Sequence, residues 1–223
     1  MRAMILAAGR GERLRPLTDT IPKAMVPAAG KPLIVWHLER LAAAGCREAV
    51  INVSHLGERI VEGVGDGSRF GLRIAYSRER EPLETAGGIA HARALLGEAA
   101  FLLVNADVYC EIDFSRLRAM SLGKRLAHLV LVPNPPHHEA GDFSLDEGSV
   151  GNAAGARYTY AGIAVMSPEL IAAVKPQQKA PLAPLLRAAA ERRLISGELH
   201  HGMWQDVGTL ARLAELEAHL ASR

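Results

Sequence analysis

The sequence predicts an α/β protein: a doubly wound, mostly parallel, Rossmann-like sheet with an antiparallel addition in the C-terminal half. Two observations carry this. Through the first 133 residues, short apolar runs alternate with stretches of helical periodicity, the rhythm of right-handed crossovers between parallel strands covered by helices on both faces. Past Pro133 strand-like runs follow one another with no helix between them, which points to antiparallel pairing.

Taken in order, "AMILAA" (3–8) is a compact apolar run suited to a buried strand. "PLIVWHLERLAAAG" (32–45) has helical spacing and ends on Gly45, a residue suited to a helix C-terminus. "EAVINVS" (48–54), "LRIAYS" (72–77), "AFLLVNADV" (100–108) and "AHLVLVP" (127–133) are predicted as strands, with helices over 55–65, 87–97 and 114–122 between them. In the second half, 143–150 and 157–167 are predicted strands, followed by helices near 168–174 and over 182–194. A last strand over 197–208 leads into an amphipathic helix over 210–221.

A chain of 223 residues accommodates one sizeable α/β domain, and a single domain over 1–223 is expected. With 49% hydrophobic residues and a net charge of only +2, the composition argues against disorder and against a generally basic nucleic-acid-binding surface. Cys46 and Cys110 are too few for a disulfide framework and belong to no metal-binding spacing, so two buried free thiols are expected. The N-terminal apolar run is too short for a signal peptide, and no run is long enough for a membrane helix. A soluble cytoplasmic protein is expected.

Three features fall where strands end, the side on which open α/β sheets gather ligands. The first is "LAAGRGERLRPLT" (6–18), where glycines free backbone N–H groups to face an anion and arginines add fixed, forked charge. Leu14 stands where a dinucleotide fingerprint needs its third glycine, and no GxxxxGK[ST] exists; a Rossmann dehydrogenase and a P-loop NTPase are both disfavoured. The second is "NADVY" (105–109), in which Asp107 at the end of a buried strand is a natural ligand for a hard cation such as Mg²⁺. The third is Asp206 in "WQDVGT", another strand-end carboxylate.

The whole opening pattern, "LAAGRGERLRPLTDTIPKAMVPAAGKP", resembles the signature of the sugar-1-phosphate nucleotidyltransferases, with its glycines, Arg13, Pro16, Thr18, Pro22, Lys23, Pro27, Lys31 and Pro32 in register. Glu12 departs from it, since the family more often has a small hydroxyl residue there. The resemblance implies that Ala8, Gly9, Gly11, Glu12 and Arg13 wrap a triphosphate, Glu12 through its backbone N–H, with Arg13 on the β and γ groups and Lys23 on the α-phosphate. Lys23 and Arg13 are the implied catalytic cations. Asp107 and Asp206 are the implied metal ligands, for one or two Mg²⁺ ions bridging the substrates' phosphates. Thr85, Gly87 and Gly88 of "EPLETAGGIAHA", with Asn105, are implied on the nucleotide side; close packing alone would also explain the two glycines.

The segment "NPPHHEAGDF" (134–143) looks like the sugar-binding stretch of the short uridylyltransferases that act on N-acetylmuramate α-1-phosphate. That likeness implies transfer of UMP from UTP to that sugar phosphate, with Gly141, Asp142 and Asn152 on the sugar side. Residues 1–133 would then mainly serve the nucleotide and 134–223 the sugar and the second metal carboxylate. Many relatives carry a Glu-Lys-Pro segment whose lysine binds the sugar phosphate; the corresponding stretch here, "SVGNAAGARYTYAG", has no such lysine, and Asn152 and Asp142 are expected to take over recognition. Two alternatives stay open: the same core acting on dTTP with glucose 1-phosphate or GTP with mannose 1-phosphate, and a non-catalytic nucleotide-sensing subunit, against which Asp107, Asp206 and Lys23 all stand. His137 and His138, after two prolines, are read as an exposed loop pair, as are His200 and His201. The expected partners are UTP and a sugar 1-phosphate, with no nucleic acid and no membrane, in a monomer or weak oligomer.

Overall fold

A computed structural model describes Met1–Ser222. The first half lays down β1 (Ala3–Leu6), a small hairpin of β2 (Pro27–Ala28) and β3 (Lys31–Pro32), α1 (Leu33–Ala43), β4 (Glu48–Val53), α2 (Gly57–Val64) and β5 (Arg73–Arg78). It continues through α3 (Glu84–His91), α4 (Arg93–Leu96), β6 (Phe101–Asn105), β7 (Val108–Cys110), α5 (Phe114–Ala119) and β8 (Ala127–Val132). The second half adds β9 (Ser144–Asp146), β10 (Ser149–Gly151), β11 (Thr159–Met166), α6 (Ala183–Glu191), β12 (Ile195–Leu199), β13 (Trp204–Asp206) and α7 (Leu210–Ala221).

Nine strands form one sheet in the order β5-β4-β1-β6-β11-β8-β12-β10-β9, and β7 pairs with β13 in a separate two-stranded ribbon. β5, β4, β1 and β6 are mutually parallel. β11 enters antiparallel between β6 and β8, and the β9–β10 hairpin closes the far edge beside β12. Strand residues alternate between two apolar layers, as the pleat requires. Ile5, Leu102 and Val104 pack toward Ile34, Leu38 and Leu41 of α1, while Met4, Phe101 and Leu103 pack toward Ile89 of α3 and Leu186 of α6. Both faces are therefore buried, which is why the central strands read as continuous apolar runs.

Four predicted elements differ in detail. The strand expected over 100–108 stops at Asn105, because Ala106 and Asp107 turn the chain and send Val108–Cys110 into the ribbon with β13. The strand expected over 197–208 is likewise two, β12 and β13. The run 143–150 is a hairpin, turned at Glu147 and Gly148 with φ of 45° and 78°. Pro168–Ile171 forms only a 3₁₀ turn where a longer helix is predicted. Each difference is a reversal or a tightening that hydrophobic period alone does not register.

Parallel β6 and antiparallel β11 place the C-terminal end of one beside the N-terminal end of the other, with Val104 opposite Ile163. The chain ends that matter thus meet at one edge: the residues after β1, the end of β4, the residue after β5, the end of β6 and the start of β11.

Candidate active site

The loop after β1 is shaped by Gly11, whose φ is 68°. A Cβ there would lie 2.9 Å from Thr18 Cγ2 and 3.0 Å from Lys23 Cβ, so the missing side chain lets Lys23 close onto the loop. Thr18 Oγ1 fixes the same turn by donating to the Gly11 carbonyl at 2.8 Å. Gly9 has open space around it. Glu12 and Arg10 point into solvent, and Arg15 pairs with Asp19 at 3.1 Å on the surface, apart from the site.

From this seat the Lys23 ammonium forms an ion pair with Asp107 Oδ2. Two of the predicted site residues, 84 positions apart in sequence, are therefore in direct contact. Asp206 is delivered beside them by the ribbon: it stands opposite Val108, and the Val207 N–H donates to the Asp107 carbonyl at 2.7 Å. Asp107, Asp206, Arg13 and Asn105 line one cavity, together with His137, Tyr160 and Trp204.

Asp206 carries the clearest sign of a missing partner. Its Oδ2 accepts from the buried Arg212 Nη1 at 2.5 Å. His137 Nε2 lies 3.1 Å from Oδ1 but also 2.6 Å from Arg212 Nη1. A guanidinium only donates, so that imidazole nitrogen is the acceptor and has no proton to offer Asp206. Oδ1 is left buried without a donor. Two hard carboxylates, one with an unfilled buried oxygen, suit a cation such as Mg²⁺ that keeps water and substrate phosphates as its other ligands. No cluster of three or more His, Cys, Asp or Glu able to hold a metal occurs among the described residues.

Beside the first cavity a second, next to the loop expected to hold the nucleotide, is lined by Ala7, Ala8, Gly9, Lys23, Asn52, Glu79, Glu84, Thr85, Asn105 and Asp107. Asn52 and Glu79, which the sequence reading missed, form its polar floor. Asn52 accepts from the Ala7 N–H at 2.8 Å and donates to Glu79 Oε1 at 2.7 Å, while Glu79 Oε2 accepts from the Leu83 N–H at 2.9 Å. Gly87 and Gly88 are needed for packing: a Cβ on Gly87 would lie 2.3 Å from the Gln178 carbonyl oxygen, and one on Gly88 would lie 2.7 Å from Glu79 Oε1. The signal for Glu79 was present only as a charged residue directly following an apolar strand.

A third cavity, of about 450 Å³, is lined by Asp142, Phe143, Tyr160, Leu182, Leu186 and Arg187, and meets the nucleotide cavity at Glu84, Thr85 and Asn105. Asp142 is tied down, its Oδ2 accepting from the Tyr160 N–H at 2.8 Å and its Oδ1 lying 3.0 Å from His138 Nε2. Gly141, at φ 60°, packs against Asn134 and the Arg157 backbone, where a Cβ would meet Asn134 Oδ1 at 2.8 Å. Asn152 stands behind the cavity wall, donating to the Arg187 carbonyl at 2.9 Å. The Tyr160 hydroxyl is buried without a hydrogen-bond partner, and burial holds it protonated far above the ordinary phenol range. The histidine pair 137–138 does lie in a loop, as expected, with His137 exposed, but neither ring is free: His137 accepts from Arg212 and His138 meets Asp142. Asn105 is the residue common to all three cavities.

Cys46 and Cys110 are buried free thiols, with Cys110 pushed up to about 11 by burial. No helix among the described residues is long and apolar enough to cross a membrane.

The family model of nucleotidyl transferases matches residues 2–150. An N-acetylmuramate alpha-1-phosphate uridylyltransferase from Neisseria meningitidis is 51% identical, over 98% of this chain and 97% of its own length. One of the same name from Caulobacter vibrioides is 36% identical over 98% and 96%. A solved UDP-glucose pyrophosphorylase complexed with UDP-glucose superposes with a TM-score of 0.79 at 20% identity, covering 100% of this chain and 99% of that one, a likeness of fold alone. The chain belongs to the nucleotidyl transferase family, as a sugar-1-phosphate nucleotidyltransferase.

Proposed function

We propose that the enzyme transfers UMP from UTP to N-acetylmuramate α-1-phosphate, giving UDP-N-acetylmuramate and pyrophosphate in the cytoplasm. The base and sugar follow the two near-full-length relatives. The observation that carries the reaction is the meeting of three cavities at Asn105, two residues from the Lys23–Asp107 pair. A nucleotide seated over Asn52 and Glu79 and a sugar seated beside Tyr160 have only this junction at which to bring their phosphates together.

An oxygen of the sugar phosphate attacks the α-phosphorus of UTP in line, and the bond to pyrophosphate breaks. Positioning and charge compensation do most of the work in phosphoryl transfer. Lys23, held at the junction by its loop, offers its ammonium to the α-phosphate, where negative charge builds as the bond forms. Arg13 borders the same cavity as the two aspartates and takes the phosphates beyond it. Gly9, with open space beside it, lets the loop backbone approach the triphosphate. The family generally works with a divalent cation; we assign Mg²⁺ held by Asp107 and Asp206, which supplies charge neutralisation and alignment of the phosphates. The acceptor phosphate is already ionised at neutral pH, so no strong general base is required.

The test is a grid of UTP, dTTP, GTP and ATP against N-acetylmuramate, N-acetylglucosamine, glucose and mannose 1-phosphates, read by pyrophosphate release. The highest kcat/KM is expected for UTP with N-acetylmuramate 1-phosphate. A higher value for dTTP with glucose 1-phosphate or GTP with mannose 1-phosphate overturns the substrate assignment.

A further inference from the structure

The acceptor cavity contains a cation that the reaction itself does not use. Arg187, on α6, lines it, and its guanidinium lies 5.3 Å from the centroid of the Phe143 ring. Among the described residues it forms no ion pair with any carboxylate, whereas Arg212 and Arg116 each hold one. The two acidic residues of the same cavity are differently placed: Asp142 is occupied by the Tyr160 N–H and His138, and Glu84 is exposed at the border with the nucleotide side. Asn152 anchors the Arg187 backbone from behind, donating to its carbonyl at 2.9 Å. Tyr160 also lines the cavity, with its hydroxyl buried and unpartnered. The rest of the wall, with Phe143, Leu182 and Leu186, is apolar.

A half-buried guanidinium without a counter-anion, stacked on a ring that limits its freedom, is a poor filler for an apolar wall but a good receptor for a carboxylate, which it can grip with two parallel N–H donors. Resting on the substrate reading above, we infer that Arg187 is the specificity-determining residue that pairs with the carboxylate carried by the acceptor sugar. N-acetylmuramate differs from N-acetylglucosamine by a lactyl ether that ends in a carboxylate, so Arg187 selects the acidic sugar phosphate over its neutral counterpart. A neutral sugar leaves the guanidinium unpaired in the cavity, and the cost of that unpaired group is what discriminates. Asn152 acts only through Arg187, by fixing the backbone that carries it.

The experiment measures kcat/KM, with UTP saturating, for N-acetylmuramate 1-phosphate and N-acetylglucosamine 1-phosphate in wild type, Arg187→Ala and Arg187→Lys. The ratio of the two constants is the readout; because both are measured on one preparation, a partly misfolded fraction cancels. Arg187→Ala is expected to lower the acid-over-neutral ratio roughly 10- to 100-fold, through KM for the acidic sugar more than kcat, as befits loss of a charge-assisted pair. Arg187→Lys restores part of it, having the charge without the fork. A wild type that prefers the acidic sugar with an Arg187→Ala variant that keeps the full preference overturns this inference and leaves the substrate reading standing. A wild type that prefers the neutral sugar overturns both.

Discussion

Lys23 is an ordinary lysine by type, and its meaning comes from the loop that holds it. Gly11 lets it close in, and Asp107 pairs with it two residues from Asn105, where three cavities meet. If its ammonium meets charge that grows in the transition state, Lys23→Ala should lower kcat by roughly 100-fold or more, about 3 kcal/mol, with a smaller change in KM for UTP. Lys31, in the same motif, pairs with Glu39 at 2.6 Å and covers the Trp36 ring, so Lys31→Ala should lose far less. Equal kcat for Lys23→Ala and wild type in steady-state assays would make the lysine a bystander. His37 illustrates the opposite case, a titratable group with no chemistry. It is 1% exposed, stacks near Phe114, and burial, opposed by a backbone contact at Val108, pulls its pKa down to about 4. The unfolded chain, with a histidine near pH 6.5, therefore binds this proton more readily than the folded one. Stability should be complete above that pH and fall by about 3 kcal/mol as pH drops toward 4. Glu48 and Glu198, held near 2 by their partners, lose their contributions below about pH 4.5, beneath most of the His37 window. Thermal unfolding followed between pH 7 and 4.5 should show a flatter profile for His37→Phe; an unchanged slope would assign the loss elsewhere.

At the scale of elements, the site depends on where strands stop. β6 ends at Asn105 and β11 carries an irregularity between Tyr160 and Ala164, with Gly162 inside it at φ 74°. A Cβ on Gly162 would sit 2.5 Å from Asn105 Nδ2, so this glycine makes room for the side chain shared by all three cavities. Gly162→Ala should cost about 1–3 kcal/mol from backbone strain alone and also displace Asn105, lowering activity more than stability explains. A variant with a native melting midpoint and native kcat/KM would contradict that reading. The sequence showed the strands and the carboxylates at their ends, because apolar runs closed by Asn or Asp are local features. It did not show that Ala106–Asp107 turns the chain into a ribbon with β13, since that pairing joins residues about a hundred positions apart. Glu79 and Arg187 were missed for the same reason: an exposed-looking charge in a helix or after a strand gains its role only when distant segments wall it in. The resemblance of residues 6–32 to a family signature supplied the roles of Lys23 and Arg13, which spacing alone left open. Asn152 was expected to read the sugar; its side chain instead supports Arg187, one layer behind the cavity.

Across the whole molecule, one nine-stranded sheet spans the first two of the site's elements, its parallel half and its C-terminal half. Its parallel half borders the cavity proposed for the nucleotide, its mixed C-terminal half the cavity proposed for the acceptor, and the β7–β13 ribbon brings Asp206 back to Asp107. The central claim is that the acceptor's own phosphate oxygen attacks the α-phosphorus of UTP at the junction between these halves. It is tested most directly by supplying N-acetylmuramate 1-phosphate labelled with ¹⁸O in its three non-bridging phosphate oxygens, with unlabelled UTP, and weighing both products by mass spectrometry. All three labelled oxygens should appear in UDP-N-acetylmuramate and none in pyrophosphate. Label in the released pyrophosphate, or in inorganic phosphate, would contradict it.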